Sequence, residues 1–195
     1  MLLQTFHAKR AIEEEGGDGV ILNIDHPRAI NYINACQYSL LFPKTLIQAI
    51  ESMGKTKNIN YYFKGTITPK RNWIFEFDAT IVYSNYGRDA HRKYNIDVNY
   101  YRQMCSSKFV LCPTGDCPWS YRFFEAIMCF AIPIIHDDDI FCNDYVHFKH
   151  DEPHYYDAAA AAENYKLFLS RHTFCPTNPL LQNIFYAYKR HWQID

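Results

Sequence analysis

Three polar residues stand close together where the sequence predicts the start of a helix: Ser120, Arg122 and Glu125. Pro118 and Ser120 are typical of a helix N-terminus, whose free N–H groups and dipole attract phosphate. Arg122 adds a planar cation that suits a diphosphate, and Glu125 shares a helix face with it and can accept hydrogen bonds from a ribose diol. This pattern favours a nucleotide ligand. The alternative from residue types alone is an Arg–Glu surface pair on an ordinary amphipathic helix.

The segments on either side of this helix predict a parallel sheet. Residues 109–112 and 132–135 are apolar runs rich in β-branched residues, typical of strands that are buried on both faces. Loop 113–118 follows the first run, and loop 136–139 follows the second. Ligands of such sheets bind outside the carboxyl ends of the strands, so we expect both loops to border the ligand.

The same alternation of strand and helix patterns runs along the chain, which predicts an α/β fold with a doubly wound parallel sheet. The predicted strands cover residues 20–24, 38–42, 58–63, 79–83, 109–112, 132–135 and a short run near 145–148. The predicted helices cover residues 27–36, 43–53, 96–107, 156–171 and 180–192, besides the helix that begins near Ser120. Residues 69–77 are predicted to be helical or irregular.

Composition, charge and missing motifs argue against several classes of protein. The chain has 195 residues, of which 48% are hydrophobic, and this suits one domain with a small extension. A net charge of −1 argues against a nucleic-acid binder. The sequence contains neither G-x-x-x-x-G-K-[ST] nor G-x-G-x-x-G, which argues against P-loop and dinucleotide-dependent enzymes.

Cysteine content favours a reducing compartment. There are 7 cysteines, an odd number, and the sequence shows no secretory signal and no transmembrane stretch. We therefore expect a cytoplasmic protein. Cys112 and Cys117 could ligate zinc, but without a second pair they are better interpreted as buried free thiols.

Three motifs, in order, resemble the donor half of exostosin-type glycosyltransferases. They are Cys112-Pro113-Thr114-Gly115, Ser120-Tyr121-Arg122-Phe123-Phe124-Glu125-Ala126 and Ala131-Ile132-Pro133-Ile134-Ile135-His136-Asp137. Residues 61–65, 69–71 and 100–109 resemble further segments of that family. Tyr121 replaces a proline that is common in the family, and Phe130 stands where the family often has glycine. The resemblance covers residues 58–140 well.

The resemblance implies a GT-B enzyme that moves a sugar from a nucleoside diphosphate, by default a UDP-sugar, to a glycan acceptor. It implies inversion and no essential metal. It divides the chain into a partial acceptor-side segment (1–57), a donor-binding domain (58–175) and a C-terminal helix that packs back (176–195). Animal members are membrane-anchored, whereas this sequence shows no transmembrane stretch, so we expect a soluble version, as in bacteria or large viruses. A homo-oligomer could supply a missing lobe.

The resemblance also suggests roles for individual residues. The candidate donor-binding residues are Lys64, Gly65, Arg71, Gly115, Asp116, Ser120, Arg122, Glu125 and Asp137, with Asp138 as an alternative to the last. Inversion needs a base for the acceptor hydroxyl. The candidate bases are Asp25, His26 and His136, although Asp25 can equally be interpreted as a helix cap.

Two other functions stay open. The first is a non-catalytic nucleotide- or carbohydrate-binding module derived from a glycosyltransferase. The second is a nuclease or metal hydrolase that uses the acidic residues 137–139 together with His136. Acidic runs of this kind are more often solvated loops, which disfavours the second alternative.

Overall fold

The computed structural model of the chain describes residues 2–3, 20–23, 30–34, 37–42, 44–83, 97–114, 120–136 and 143–172. The chain divides into two compact units. The first unit comprises residues 1–46, 88–96 and 171–195, and the second comprises residues 47–87 and 97–170. The predicted domain boundaries after residues 57 and 175 stay predictions.

The first unit contains a small, mostly antiparallel sheet. Its strands are β1 (Leu2–Leu3), β2 (Val20–Asn23), β3 (Ile30–Asn34) and β4 (Gln37–Leu41), paired in that order. β1 runs parallel to β2, and the other neighbours are antiparallel. The strands predicted at residues 20–24 and 38–42 are confirmed.

The helix predicted over residues 27–36 is wrong where the structure describes it. Residues Ile30–Asn34 form β3, which pairs with β2 on one side and with β4 on the other. Isoleucine and tyrosine dominate this segment, and such residues favour a strand when neighbouring strands can pair with it. Pro27 is compatible with a helix start, but the pairing on both sides of β3 decides the conformation.

The second unit is built on a parallel sheet. Its strands are β5 (Ile59–Gly65), β6 (Ala79–Tyr83), β7 (Ser107–Leu111), β8 (Ile132–Ile135) and β9 (Phe148–Lys149). They form a 5-stranded sheet in the order β6-β5-β7-β8-β9, and every neighbouring pair is parallel. The predicted doubly wound α/β fold is confirmed.

The helices agree with the predicted ones in place and order. They are α1 (Lys44–Glu51), a 3₁₀ helix (Pro69–Glu76), α2 (Val98–Cys105), α3 (Tyr121–Met128) and α4 (Ala158–His172). The helix predicted over residues 180–192 lies outside the described residues. Within the described ranges, no helix combines the length and apolar character needed to cross a membrane.

Helices cover both faces of the parallel sheet. One face carries the core, whose buried members are Phe63, Trp73, Ile74, Phe109, Leu111, Ile132, Ile134, Phe148 and Ala161. The 3₁₀ helix and α4 contribute Trp73 and Ala161 to this core. On the opposite face of β5, the Tyr62 ring centroid lies 6.4 Å from that of Tyr100 in α2. Because both faces are covered, residues 109–111 of β7 and 132–135 of β8 are continuous buried apolar runs.

The end of α3 has an unusual backbone. Phe130 has φ 56°, in the left-handed region, and the N–H of Ala131 donates to the carbonyl of Ala126 at 2.9 Å. Glycine adopts this conformation without strain, and glycine is common here in the family that the sequence resembles. Packing holds Phe130 in place: its ring centroid lies 4.3 Å from that of Tyr165 and 5.3 Å from Lys55 Nζ.

Two substitutions of Phe130 separate the backbone strain from the packing. Phe130→Ala removes the ring contacts and keeps a Cβ atom, whereas Phe130→Gly removes the ring contacts and the strain together. We expect both variants to be less stable than the unchanged chain, with the glycine variant more stable than the alanine variant by about 1 kcal/mol. Urea unfolding measures these differences. Equal stability of the two variants would contradict strain at residue 130.

Candidate functional site

The strand order of the parallel sheet reverses between β5 and β7. In doubly wound sheets, ligands bind in the crevice outside the carboxyl ends of two such strands. β5 ends at Gly65 and β7 ends at Leu111. We define the switch-point crevice as residues 64–66 and 111–114, together with the side chains that reach them.

Arg122, near the start of α3, reaches the switch-point crevice. Its Nη2 atom donates a hydrogen bond to the carbonyl oxygen of Lys64 at 2.8 Å, and its guanidinium carbon lies 4.6 Å from the Phe63 ring centroid. Its Nε atom is buried and has no hydrogen-bond partner among the described residues. A buried donor without a partner is destabilising, so a ligand acceptor that reaches this N–H would satisfy it.

Gly65 leaves the space that the Arg122 guanidinium occupies. A Cβ atom at residue 65 would lie 2.7 Å from Arg122 Nη2 and 3.2 Å from Phe63 Cζ. Carbon atoms in favourable contact are about 3.5–4.0 Å apart, so a side chain here would displace the guanidinium. The structure therefore gives Gly65 a steric role at the end of β5. Its contact with a donor stays a prediction.

Arg71 joins the two loops of the switch-point crevice. Its Nη1 atom donates to the carbonyl oxygen of Thr66 at 2.8 Å, and its Nε atom donates to that of Thr114 at 3.2 Å. Thr66 follows β5 and Thr114 follows β7, so one guanidinium bridges the strands on either side of the reversal. A contact between Arg71 and a diphosphate stays a prediction.

Lys64 lies at the same strand end and pairs with Asp97, which sequence reasoning missed. The Lys64 ammonium forms an ion pair with Asp97 and lies 5.9 Å from the Tyr100 ring centroid. Asp97 also caps α2, because its Oδ1 atom accepts from the N–H of Tyr100 at 2.9 Å. An aspartate directly before a helical segment is a capping signal, and that signal could have identified Asp97.

Glu125 is fully buried, with 0% of its surface exposed. Its Oε2 atom accepts from the Tyr100 hydroxyl at 2.6 Å, and its Oε1 atom accepts from the Tyr101 hydroxyl at 2.9 Å. The alternative of an Arg–Glu surface pair is therefore wrong for Glu125. Sequence reasoning missed both tyrosine contacts, since nothing in one sequence pairs residues that are 25 and 24 positions apart. Its contact with a ribose stays a prediction.

Ser120 is the N-cap residue of α3, as predicted, with φ −135° and ψ 149°. Its hydroxyl makes no capping hydrogen bond, and Oγ is buried without a partner in the part of the chain that the structure describes. Ser120 Oγ and Arg122 Nε thus form a pair of buried, unpartnered polar atoms at one helix N-terminus. The helix dipole there favours an anion.

His136 follows β8 at the carboxyl edge of the sheet and is exposed. Its ring stacks on that of His150, with centroids 4.3 Å apart and an interplanar angle of 21°. The Trp73 ring centroid lies 6.1 Å from that of His136. An exposed imidazole at this edge is able to exchange a proton with a ligand, but a role as base stays a prediction.

Some of the predicted site residues lie outside the described residues. They are Asp25, His26, Gly115, Asp116, Asp137 and the alternative Asp138. Cys117, which would complete a zinc pair with Cys112, is also outside them. Burial raises the pKa of the Cys112 thiol to about 12, and the thiol donates to the Val110 carbonyl at 3.2 Å. Cys112 is a buried free cysteine, as the sequence interpretation expected.

Comparison with known proteins decides the family. A family described as the Exostosin GT47 domain matches residues 47–162, more than half of the chain. The chain belongs to the exostosin GT47 domain family. The matched residues include the whole parallel sheet and the switch-point crevice with Arg122 and Glu125.

Curated relatives match shorter stretches of the chain. A "Probable glucuronosyltransferase" of Oryza sativa subsp. japonica is 31% identical over 108 residues, which are 50% of this chain and 25% of the rice protein. A second rice protein with that name is 51% identical over 41 residues, 21% of this chain and 10% of that protein. A "Probable beta-1,4-xylosyltransferase" of Arabidopsis thaliana is 31% identical over 91 residues, 43% of this chain and 22% of that protein. The chain spans at most 25% of the length of these relatives.

The steric role of Gly65 in this exostosin domain is testable with a double-mutant cycle. We expect Gly65→Ala to fold, because it displaces only the end of a flexible side chain, and to lose about 1 kcal/mol with the hydrogen bond to Lys64. In the Arg122→Ala background the same change should have a smaller effect, since the guanidinium is gone and only the contact with Phe63 remains. Urea unfolding of the unchanged chain, the two single variants and the double variant gives the coupling free energy between positions 65 and 122. An equal loss in both backgrounds would rule out the steric role.

Proposed function

We propose that this chain binds a nucleoside diphosphate sugar and takes part in glycosyl transfer to a glycan acceptor. The observation that carries the proposal is the pair of buried, unpartnered polar atoms at the N-terminus of α3, Ser120 Oγ and Arg122 Nε, within the described residues. Both atoms can contact an anion that lies in the switch-point crevice. Membership of the exostosin GT47 family and the names of the curated relatives support the proposal.

The diphosphate of the donor lies against the N-terminus of α3 in this proposal. Arg122 and Ser120 contact its oxygens, and Arg71 adds positive charge at the same edge. Lys64 lies there too and reaches the diphosphate from its ion pair with Asp97. When the bond between the anomeric carbon and the diphosphate breaks, the electron pair goes to the diphosphate oxygen. Preorganised donors and cations stabilise that growing charge without further reorganisation, so the leaving group needs no essential metal.

The remaining donor contacts in this proposal are those that the sequence predicts. Glu125 accepts hydrogen bonds from the ribose, Gly115 and Asp116 contact the donor, and Asp137 or Asp138 faces the sugar or the acceptor. The uridine nucleotide is the default in exostosin-type enzymes. The names of the relatives make UDP-glucuronic acid and UDP-xylose the first donors to assay.

The transfer inverts the anomeric carbon in this proposal. The acceptor hydroxyl oxygen attacks from the face opposite the diphosphate, the new C–O bond forms as the old one breaks, and a base takes the hydroxyl proton. His136 is one candidate base, because it is exposed at the carboxyl edge of the sheet. Asp25 and His26 are the other candidates.

Thermal unfolding with UDP, GDP, CMP, ADP and dTDP tests donor binding. A nucleotide at 100 times its Kd adds about 2.7 kcal/mol, which corresponds to roughly 5–10 °C for a protein of this size. We expect UDP to stabilise the unchanged chain equally with and without Mg²⁺. Arg122→Gln should lose this stabilisation, because the diphosphate loses its planar cation.

Arg102→Gln is the matched control for Arg122→Gln. Arg102 is exposed on α2 and donates to Asn99 at 3.1 Å, so its loss should leave the UDP shift unchanged. Equal shifts in Arg122→Gln and the unchanged chain would contradict the diphosphate site. Binding of UDP without hydrolysis or transfer of either sugar would instead support a non-catalytic nucleotide-binding module. No shift with any nucleotide would overturn the proposal for this chain.

A further inference from the structure

Two tyrosine hydroxyls hold the carboxylate of Glu125, and the proposed function gives them no role. We infer that Tyr101 is a positioning residue that orients Glu125 toward a ribose diol. We infer also that the Tyr100 hydroxyl occupies the place that a ribose hydroxyl takes on binding. The inference rests on the proposed function, since it requires a nucleotide in the switch-point crevice.

The two hydroxyls bind different oxygens of Glu125. Tyr100 donates to Oε2 at 2.6 Å, and Tyr101 donates to Oε1 at 2.9 Å. A carboxylate that is held at both oxygens cannot rotate about its last bond without losing a hydrogen bond. Because a terminal carboxylate torsion is otherwise broad, the tyrosines select one orientation of the acceptor lone pairs.

The surroundings of the two tyrosines differ. Tyr101 is 1% exposed, and its carbonyl oxygen lies 3.9 Å from the Cys129 thiol, so it is anchored in the interior. Tyr100 is 6% exposed and lies in the first turn of α2, beside the cap Asp97. Its ring centroid lies 5.9 Å from Lys64 Nζ, at the end of β5. Tyr100 is therefore the tyrosine nearer to the switch-point crevice.

Full burial of Glu125 sets a condition on any ligand contact. A ribose hydroxyl can reach the carboxylate only if it replaces a group that now covers it. Replacing one hydroxyl donor by another conserves the hydrogen bond, so the exchange has a small net free energy. Tyr100 is the partner that exchanges, because it lies nearer to the crevice, while Tyr101 keeps its bond and the orientation.

This arrangement selects ribose over deoxyribose. The 2′-hydroxyl is the ribose group that replaces Tyr100 in this inference. A ligand without it either leaves Tyr100 in place and loses the contact with Glu125, or displaces Tyr100 and leaves a buried carboxylate oxygen with one hydrogen bond fewer. Sites built around a substrate hydroxyl reject the analogue that lacks it for this reason. We therefore expect the unchanged chain to bind UDP roughly 10- to 100-fold more tightly than 2′-deoxy-UDP.

Isothermal titration calorimetry with UDP and 2′-deoxy-UDP tests the two roles separately. Tyr101→Phe should weaken UDP binding and reduce the preference for UDP several-fold, because the carboxylate loses its fixed orientation. Tyr100→Phe should tighten UDP binding, since Oε2 loses a partner in the free chain and the ribose hydroxyl restores one. A purely structural role of the tyrosines would not produce effects of opposite sign.

Tyr62→Phe is the matched control. The Tyr62 hydroxyl is buried without a partner in the described part of the chain, and its ring centroid lies 6.4 Å from that of Tyr100. Its removal should leave the preference for UDP unchanged. Thermal unfolding of each variant confirms that it is folded. If Tyr101→Phe does not fold, the inference is tested by Tyr100→Phe alone: tighter UDP binding supports it, and weaker UDP binding contradicts it.

Three results would overturn the inference. If folded Tyr101→Phe prefers UDP over 2′-deoxy-UDP as strongly as the unchanged chain does, Tyr101 does not position Glu125. If Tyr100→Phe binds UDP more weakly, a ribose hydroxyl does not replace the Tyr100 hydroxyl. Either result leaves the proposed function intact. No binding of UDP by the unchanged chain would overturn the proposed UDP site, and the ribose contact with it.

Discussion

The packing of Arg122 against the end of β5 is the interaction on which the carboxyl edge of the sheet depends. One guanidinium N–H binds the Lys64 carbonyl, the plane lies beside Phe63, and Gly65 leaves the space for both. These contacts set the spacing between the N-terminus of α3 and β5. Arg71 likewise sets the spacing between the loop after β5 and the loop after β7, through its hydrogen bonds to Thr66 and Thr114. Both arginines therefore help to build the crevice, and Arg122 keeps one buried donor, Nε, without a partner among the described residues.

The helix α2 is tied to this edge through two acidic residues. Asp97 caps α2 and pairs with Lys64, and Glu125 of α3 accepts from the hydroxyl of Tyr100 in the first turn of α2. Three elements, β5, α2 and α3, thus share one polar network beside an otherwise apolar core. Buried networks of this kind are destabilised by about 1–3 kcal/mol when one partner is removed, because the other stays buried and unpaired. This coupling makes the geometry of the crevice sensitive to residues that need not touch a ligand.

Local signals explain which parts of the fold could be predicted from the sequence. The start of α3 at Ser120 and the buried strands around it follow from capping and from apolar runs, and both are properties of short segments. The contact of Tyr100 with Glu125 joins two helices, so it depends on tertiary packing. The strand Ile30–Asn34 depends on pairing with both neighbours, which periodicity does not reveal. Among the predicted site residues, Lys64, Gly65 and Arg122 lie together where the strand order reverses. Their contacts with other parts of the chain, such as the ion pair of Lys64 with Asp97, could be found only in the structure.

A crystal structure of the chain with UDP would show directly whether the diphosphate lies at the N-terminus of α3. We expect diphosphate oxygens about 3 Å from Arg122 Nε and Ser120 Oγ, with the ribose directed toward Glu125. We also expect the hydrogen bond from Arg122 to the Lys64 carbonyl to persist, because this bond builds the crevice rather than binding the ligand. A diphosphate bound away from the N-terminus of α3, with Arg122 Nε still unpartnered, would rule out the proposed diphosphate site.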